Sequence, residues 1–388
     1  MTQVHNAITR EADSAAAGRE LGKSIRTAFD GATADAIVLF ASAEHDYDIL
    51  LAELADEAGT KVIVGSSSAG EFTHDHHGQG MISAMALRSH DMQFSVGLGL
   101  DISTDPARAA SQVVGSFRGL LESPYSYRSA LVMTDALAGH TDALVEELTL
   151  QTGGTYRFFG GGAGDDGLFQ KTHVFAGLQS ISNAVVALEI LSDKPVGVGV
   201  AHGWMPAGRG LRVTEADGMT LVSLNGLPAL DAFREHAQQT SQSFDPADPM
   251  PFFLHNVLGI EGTEGYRLRV PLAVQEGGAI ACAAAIPEGA VVYFMKTSDQ
   301  SAVQAARAAT TAALKALEGN KPGAAFMFDC VATRLRMGGG FQEELATCAS
   351  MLAPAGFVAC NTYGQIARAD GQFGGFHNCT AVVCVLPD

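Results

Sequence analysis

Positive charge is scarce in this 388-residue chain: 24 Lys and Arg stand against 42 Asp and Glu, a formal net charge of −18 at pH 7, and basic residues never cluster beyond a pair. Nucleic acid is argued against as a partner, because neutralising its phosphates takes a basic face. Long apolar runs are missing too. Stretches such as residues 279–286 and 381–386 fall well short of the ~18 to 20 apolar residues of a spanning helix, so no membrane insertion is expected. The first twenty residues carry acids early and lack the apolar core of a secretory signal, which points to the cytoplasm. The six cysteines include no Cys-x-x-Cys pair and read as reduced core residues, not as a disulfide frame. Without a Cys-x-x-Cys-His signal, any haem would be bound non-covalently.

What the chain does have is glycine, 44 residues of it, gathered most densely in three similar stretches. Residues 62–72 read VIVGSSSAGEF, 158–166 read FFGGGAGDD and 356–366 read GFVACNTYGQI. All three close on a glycine followed by an acid or amide: Gly70-Glu71, Gly164-Asp165 and Gly364-Gln365. Ahead of each lies a short apolar run (37–40, 131–134, 325–328) and then a segment with helical apolar spacing (48–58, 141–150, 341–352). The repeated unit is therefore strand, helix, strand, small-residue turn and one or two further strands. Such a crossover makes parallel neighbours, with sites at the carboxyl ends of the strands. Small residues there let a ligand or another strand approach the backbone; the plainer reading is a tight turn.

The expected fold is α/β, in two domains with mixed sheets built on these strand-helix-strand-turn units. Residues 12–29 form a leader helix with Leu21, Ile25 and Phe29 on one face, so residues 1–31 stand as a leader. Asn225-Gly226 is a strong turn signal and sets the division into domains 32–224 and 225–388. A helix over 228–238, a Pro-rich connection, several short strands and a long Ala-rich helix over 301–318 precede the third repeat.

The order of these pieces resembles the FIST family of bacterial sensory proteins, with an N-terminal FIST N part and a C-terminal FIST C part. The residues that carry the resemblance are GSSSAGE at 65–71, FGGGAGDD at 159–166, NGLPALD at 225–231, Arg269 with the Pro287-Glu288-Gly289 turn, the 356–366 loop and His377-Asn378-Cys379-Thr380. They span residues 35–385. The chain departs from the family pattern where Gln365 stands for the usual Glu and Cys379 for Gln. The resemblance implies a small-ligand-binding input module that hands its state to a separate signalling protein such as a histidine kinase. Some members resemble nitric-oxide sensors that bind haem.

Several side chains are candidates for the chemistry. A polar ligand such as an amino acid could sit where the loops converge, held by Ser66, Ser67 and Ser68, with Glu71 and Asp165 accepting from an ammonium group and Arg269 gripping a carboxylate. The third loop would add Cys360, Tyr363 and Gln365. Against this, serines often cap local backbone, and acids and arginines often stand on solvated faces. For haem, His377 is the axial candidate, since it lies in a shared motif. The 71–77 segment could offer His74, Asp75, His76 or His77 to a metal, but a solvated polar turn is the favoured reading, and no metal site is expected. An enzyme reading would use the Ser66–Ser68 turn as a nucleophile elbow, or Cys360 or Cys330 with His377. No catalysis is expected, because the elbow lacks its first glycine and the cysteines suit a core.

Overall fold

Three strands anchor the molecule: Ala36–Ala41, Tyr127–Thr134 and Pro322–Cys330. Ala36–Ala41 is buried at every residue, as befits a strand covered on both faces. A crossover helix, Tyr47–Ala58, Thr141–Gln151 or Phe341–Leu352, leads from each to a parallel neighbour: Ile63–Ser67, Arg157–Gly162 or Phe357–Thr362. On its other side each anchor strand pairs antiparallel with Ile82–Ser89, Ala184–Ser192 or Ala381–Pro387. The repeated units read from the sequence are thus three strand-helix-strand bodies, each the heart of a six-stranded mixed sheet. The computed structural model describes residues 2–74, 76–121, 123–262, 265–368 and 375–388.

The units exchange strands in a ring. After its glycine loop, unit one sends Glu71–Thr73 to pair with Phe357–Thr362 of unit three. Unit three sends Gln365–Arg368 to Arg157–Gly162 of unit two, and unit two sends Val174–Ala176 to Ile63–Ser67 of unit one. Edge strands follow the same rule: Met92–Leu100 and Gly197–Ala201 each leave one unit and pair in the next. Unit one takes its edge strand from the amino terminus, as Thr2–Thr9 pairs with Ile82–Ser89. The stretch expected as a leader is therefore built into unit one, and helix Ser14–Ala28 packs on Tyr47–Ala58 as Pro106–Val114 and Asp299–Lys315 pack on the other two crossover helices.

Glycine is required where the anchor strand passes its parallel neighbour. A Cβ at Gly65 would stand 1.7 Å from the Leu39 carbonyl oxygen, and one at Gly160 would stand 2.0 Å from that of Val132. These are the same register position in units one and two, where Leu39 faces Gly65 and Val132 faces Gly160.

Residues 203–298 are an insertion between edge strand Gly197–Ala201 and helix Asp299–Lys315. They fold as a nine-stranded antiparallel sheet with helix Ala229–Thr240 against it, around a core that includes Leu224, Phe233, Phe253 and Phe294. Asn225 and Gly226, with φ of 51° and 80°, make the hairpin turn between Thr220–Leu224 and Leu227–Pro228. This sheet takes strands from both sides of the 224/225 division expected from the sequence.

Candidate functional site

The three glycine loops meet and lock one another through their backbones. Ala69 N–H donates to the Asn361 carbonyl at 3.0 Å and Asn361 N–H to that of Gly70 at 2.8 Å. Gly164 N–H reaches the Ser67 carbonyl at 3.0 Å, and Gly162 N–H reaches that of Gly364 at 2.8 Å. Each loop thereby touches the next, as the strand exchange requires.

The side chains expected to face a ligand there are mostly inside the protein. Ser66, Ser67, Ser68, Glu71, Cys360 and Gln365 are fully buried. Ser67 Oγ accepts from His173 N–H at 2.9 Å, and Ser68 Oγ donates to Glu71 Oε1. Met81 N–H donates to Glu71 Oε2 at 3.2 Å. Gln365 repeats that arrangement: its Nε2 donates to Thr362 Oγ1 at 2.9 Å, three residues back, and its Oε1 accepts from Thr380 N–H at 3.3 Å, just before the next strand. An amide and a carboxyl serve the same structural purpose, the amide donating to its hydroxyl and the carboxyl accepting from its own. Burial pushes the Glu71 pKa up to about 8, against the Ser68 hydrogen bond, which acts to lower it. Asp165 accepts from the N–H groups of Phe169, Gln170 and Lys171 at 2.7–2.8 Å and from the Tyr363 hydroxyl, which closes loop 165–171 onto unit three.

Arg269 stands elsewhere. It is 1% exposed, and its Nη2 lies 3.0 and 3.1 Å from the two Asp142 oxygens. Its Nε donates to the Ala285 carbonyl at 2.8 Å and its Nη1 to that of Leu268 at 2.9 Å. The guanidinium fork is spent on pinning the inserted sheet to the start of helix Thr141–Gln151. His377 is 3% exposed, and burial pushes its pKa down to about 3. Its Nε2 lies 3.4 Å from the Ala367 carbonyl oxygen. An axial haem ligand must face an open cleft, and His377 is buried and does not line the cavities of about 130, 480, 390 and 270 Å³. The residues present do not fit haem through His377. Cys360 and His377 occupy different sheets, opposite Phe328 and Gln365 respectively. Asp75 lies outside the described residues; among those described, no group of three or more His, Cys, Asp or Glu side chains could hold a metal.

A polar seat that the sequence reading missed lies beside Gly70. A Cβ at Gly70 would stand 3.0 Å from Arg334 Nη1 and 3.0 Å from Asn361 Oδ1. Arg334 Nε, Asn361 Nδ2, Asn361 Oδ1 and Asp166 Oδ1 are all buried without a hydrogen-bond partner. Asp166 is held in place through its other oxygen, which accepts from Ser42 Oγ at 2.8 Å and Ala43 N–H at 2.6 Å. Arg334 lies near Glu71 and feels the charge of Asp166, but makes no ion pair with the described residues. Its helix, Val331–Met337, is too short for the apolar spacing that reveals longer helices, and Asp166 and Asn361 are ordinary loop residues by sequence. Only their position inside the GDD and CNTYG stretches pointed this way.

The same helix turns Val331 and Leu335 into an apolar cavity of about 130 Å³. Tyr363 and Phe169, stacked with centroids 4.2 Å apart, wall it from the units, and Met250 and Leu254 from the insertion. Tyr363 alone of the sequence-expected ligand residues lines it. A more polar cleft of about 480 Å³ adjoins it through Ala136, Met219 and Ala283 and reaches His140, Asp142 and Glu146. Clefts where an inserted body meets the rest of a fold are common seats for small ligands.

A family model for the FIST N domain matches residues 35–227, and one for the FIST C domain matches residues 229–368. The chain belongs to the FIST family. FIST domains are associated with sensing in signal transduction and are sensory rather than catalytic. Proteins of curated function include no match to this FIST chain. No helix among its described residues is long and apolar enough to cross a membrane. The FIST N match covers unit one from its anchor strand onward, unit two and the first strands of the insertion, whereas the FIST C match covers most of the insertion and the anchor, helix and parallel strand of unit three.

Proposed function

We propose that this FIST protein is a cytoplasmic sensor of a free amino acid or similarly small zwitterion, acting by binding and not by turnover. The observation that carries the reading is the set of four buried, unpartnered polar atoms on Arg334, Asn361 and Asp166, of which Arg334 and Asn361 flank Gly70. Two are donors and two are acceptors, and buried polar groups are otherwise nearly always paired. Arg334 Nε and Asn361 Nδ2 suit a carboxylate; Asp166 Oδ1 and Asn361 Oδ1 suit an ammonium group. Glu71, kept neutral by burial, adds no repulsion toward the carboxylate. Arg334 thus takes the part that the sequence reading gave to Arg269. The apolar cavity on the other flank of helix Val331–Met337 would take an apolar side chain.

The signal would pass to a partner in trans, such as a histidine kinase. The inserted sheet and the three units meet at the cavity, so a ligand touching both shifts their relative populations only if it binds one arrangement more tightly. Thermal-shift screening of the protein against the common amino acids tests the reading. A dose-dependent rise for a small subset with apolar side chains supports it; no rise with any amino acid at millimolar concentration overturns it.

A further inference from the structure

Cys330 ends the anchor strand of unit three and walls the apolar cavity. In that strand Phe328 pairs with Val382, so the antiparallel register carries Cys330 level with Thr380 and beside Cys379. Cys330, Ala332 and Cys379 pack in one buried cluster, where the Cys379 thiol, and after it the backbone of Cys379 and Ala332, acts to lower the Cys330 thiol. These contacts hold the Cys330 thiol below the usual range, outweighing burial and the nearby Asp329. The five other thiols move the opposite way. Burial pushes Cys282 up to about 12, Cys348 up to about 11, and Cys360 and Cys384 well above the usual range. Cys379 is raised as well, first by its hydrogen bond to Cys330 and then by burial. Both members of the pair are buried, and Cys330 walls the cavity, so a reagent reaches Cys330 through it; its 130 Å³ compares with roughly 30 Å³ for one water in the liquid.

We propose that Cys330 and Cys379 form a modification site for a small hydroperoxide, with Cys330 as the attacking thiol and Cys379 as the resolving one. The Cys330 thiolate attacks one peroxide oxygen, the O–O bond breaks, and hydroxide leaves and takes up a proton to become water. Cys330 is then a sulfenic acid. Cys379 loses its proton and attacks the Cys330 sulfur, the S–O bond breaks, and a second water departs. The two thiols have given up two electrons and become a disulfide, and one hydrogen peroxide has become two waters. The bond would tie the start of the Arg334 helix to the strand Ala381–Pro387.

The test treats the full reduced chain with hydrogen peroxide, alkylates the remaining thiols and maps the peptides. The expected product is one cross-linked peptide joining positions 330 and 379, with an intact mass lower by two hydrogens and two fewer alkylated thiols. Cys379→Ser should stop at the sulfenic acid and give a dimedone adduct on Cys330, whereas Cys330→Ser should give neither adduct nor cross-link. A readout on the wild-type chain guards against a variant that fails to fold: in native alkylation, Cys330 should react roughly tenfold faster or more than the other cysteines. A cross-link between any other pair, or Cys330 alkylated no faster than Cys360, overturns the proposal.

Discussion

Replacing Glu71 with Gln should make the protein more stable, and increasingly so as the pH rises. Glu71 is fully buried and has a pKa of about 8, against 4.5 in an unfolded chain. A carboxyl raised on folding favours the native state in its protonated form; that advantage is complete below pH 4.5 and is lost as the pH climbs toward 8. One pKa unit corresponds to about 1.4 kcal/mol. Integrated from pH 5 to pH 8, the wild type should lose roughly 3 to 4 kcal/mol through this group alone. Glutamine can keep the bond from Met81 N–H and replace the other with one of reversed direction, donating to Ser68 Oγ, as Gln365 already does with Thr380 and Thr362. Asp329 and Glu344, buried close together, are raised too and also tilt the wild-type profile. The informative quantity is therefore the difference between the two proteins. Unfolding entropy near 2 cal/mol/K per residue amounts to about 0.8 kcal/mol/K for 388 residues, so the gap in melting temperature should widen by about 4 °C between pH 5 and pH 8. Calorimetry on both proteins at the two pH values measures it. Parallel melting temperatures would refute the reasoning, since they would mean that Glu71 is already ionised in the native state.

Gly65→Ala should destabilise by about 3 kcal/mol or more, read as a lower urea midpoint, because the new methyl would overlap the Leu39 carbonyl oxygen and the strand would have to shift. Arg269→Met should cost about 3 kcal/mol by leaving Asp142 and three backbone carbonyls without their donor, and it should loosen the insertion, visible as faster hydrogen exchange in residues 265–285. Arg334→Ala, by contrast, breaks no hydrogen bond or ion pair with the described residues and should leave the melting temperature within about 1 °C of wild type.

The three units were legible because the glycines at Gly65 and Gly160 answer a steric demand that recurs at the same register, and because each crossover helix is long enough to show its apolar face. The exchange of strands was not. Glu71–Thr73 and Val174–Ala176 are three residues each, too short for any period, and their partners come from another unit. Thr2–Thr9 went unread because its sequence, TQVHNAIT, alternates weakly along an edge. Asn225-Gly226 has the turn chemistry of a linker and of a hairpin alike, and only the pairing of Ser223 with Pro228 tells them apart. At the site, serines and acids were expected to face a ligand, yet they serve the loops themselves. Polar type in a sequence carries no record of burial, and the partners that satisfy Glu71 and Asp165 lie up to 198 residues away. Arg334 stayed hidden for the converse reason, since its importance comes from what surrounds it in space.

The central claim is that the seat beside Gly70 binds a zwitterion through Arg334 and Asn361. Isothermal titration of the wild type and of Arg334→Ala, with the amino acid that gives the largest thermal shift, tests it most directly. Loss of a charge-assisted pair should weaken binding by about 2 to 3 kcal/mol, roughly 30- to 150-fold, while the melting temperature of the free protein stays put. Equal affinity in the two proteins would contradict the account and place the ligand elsewhere.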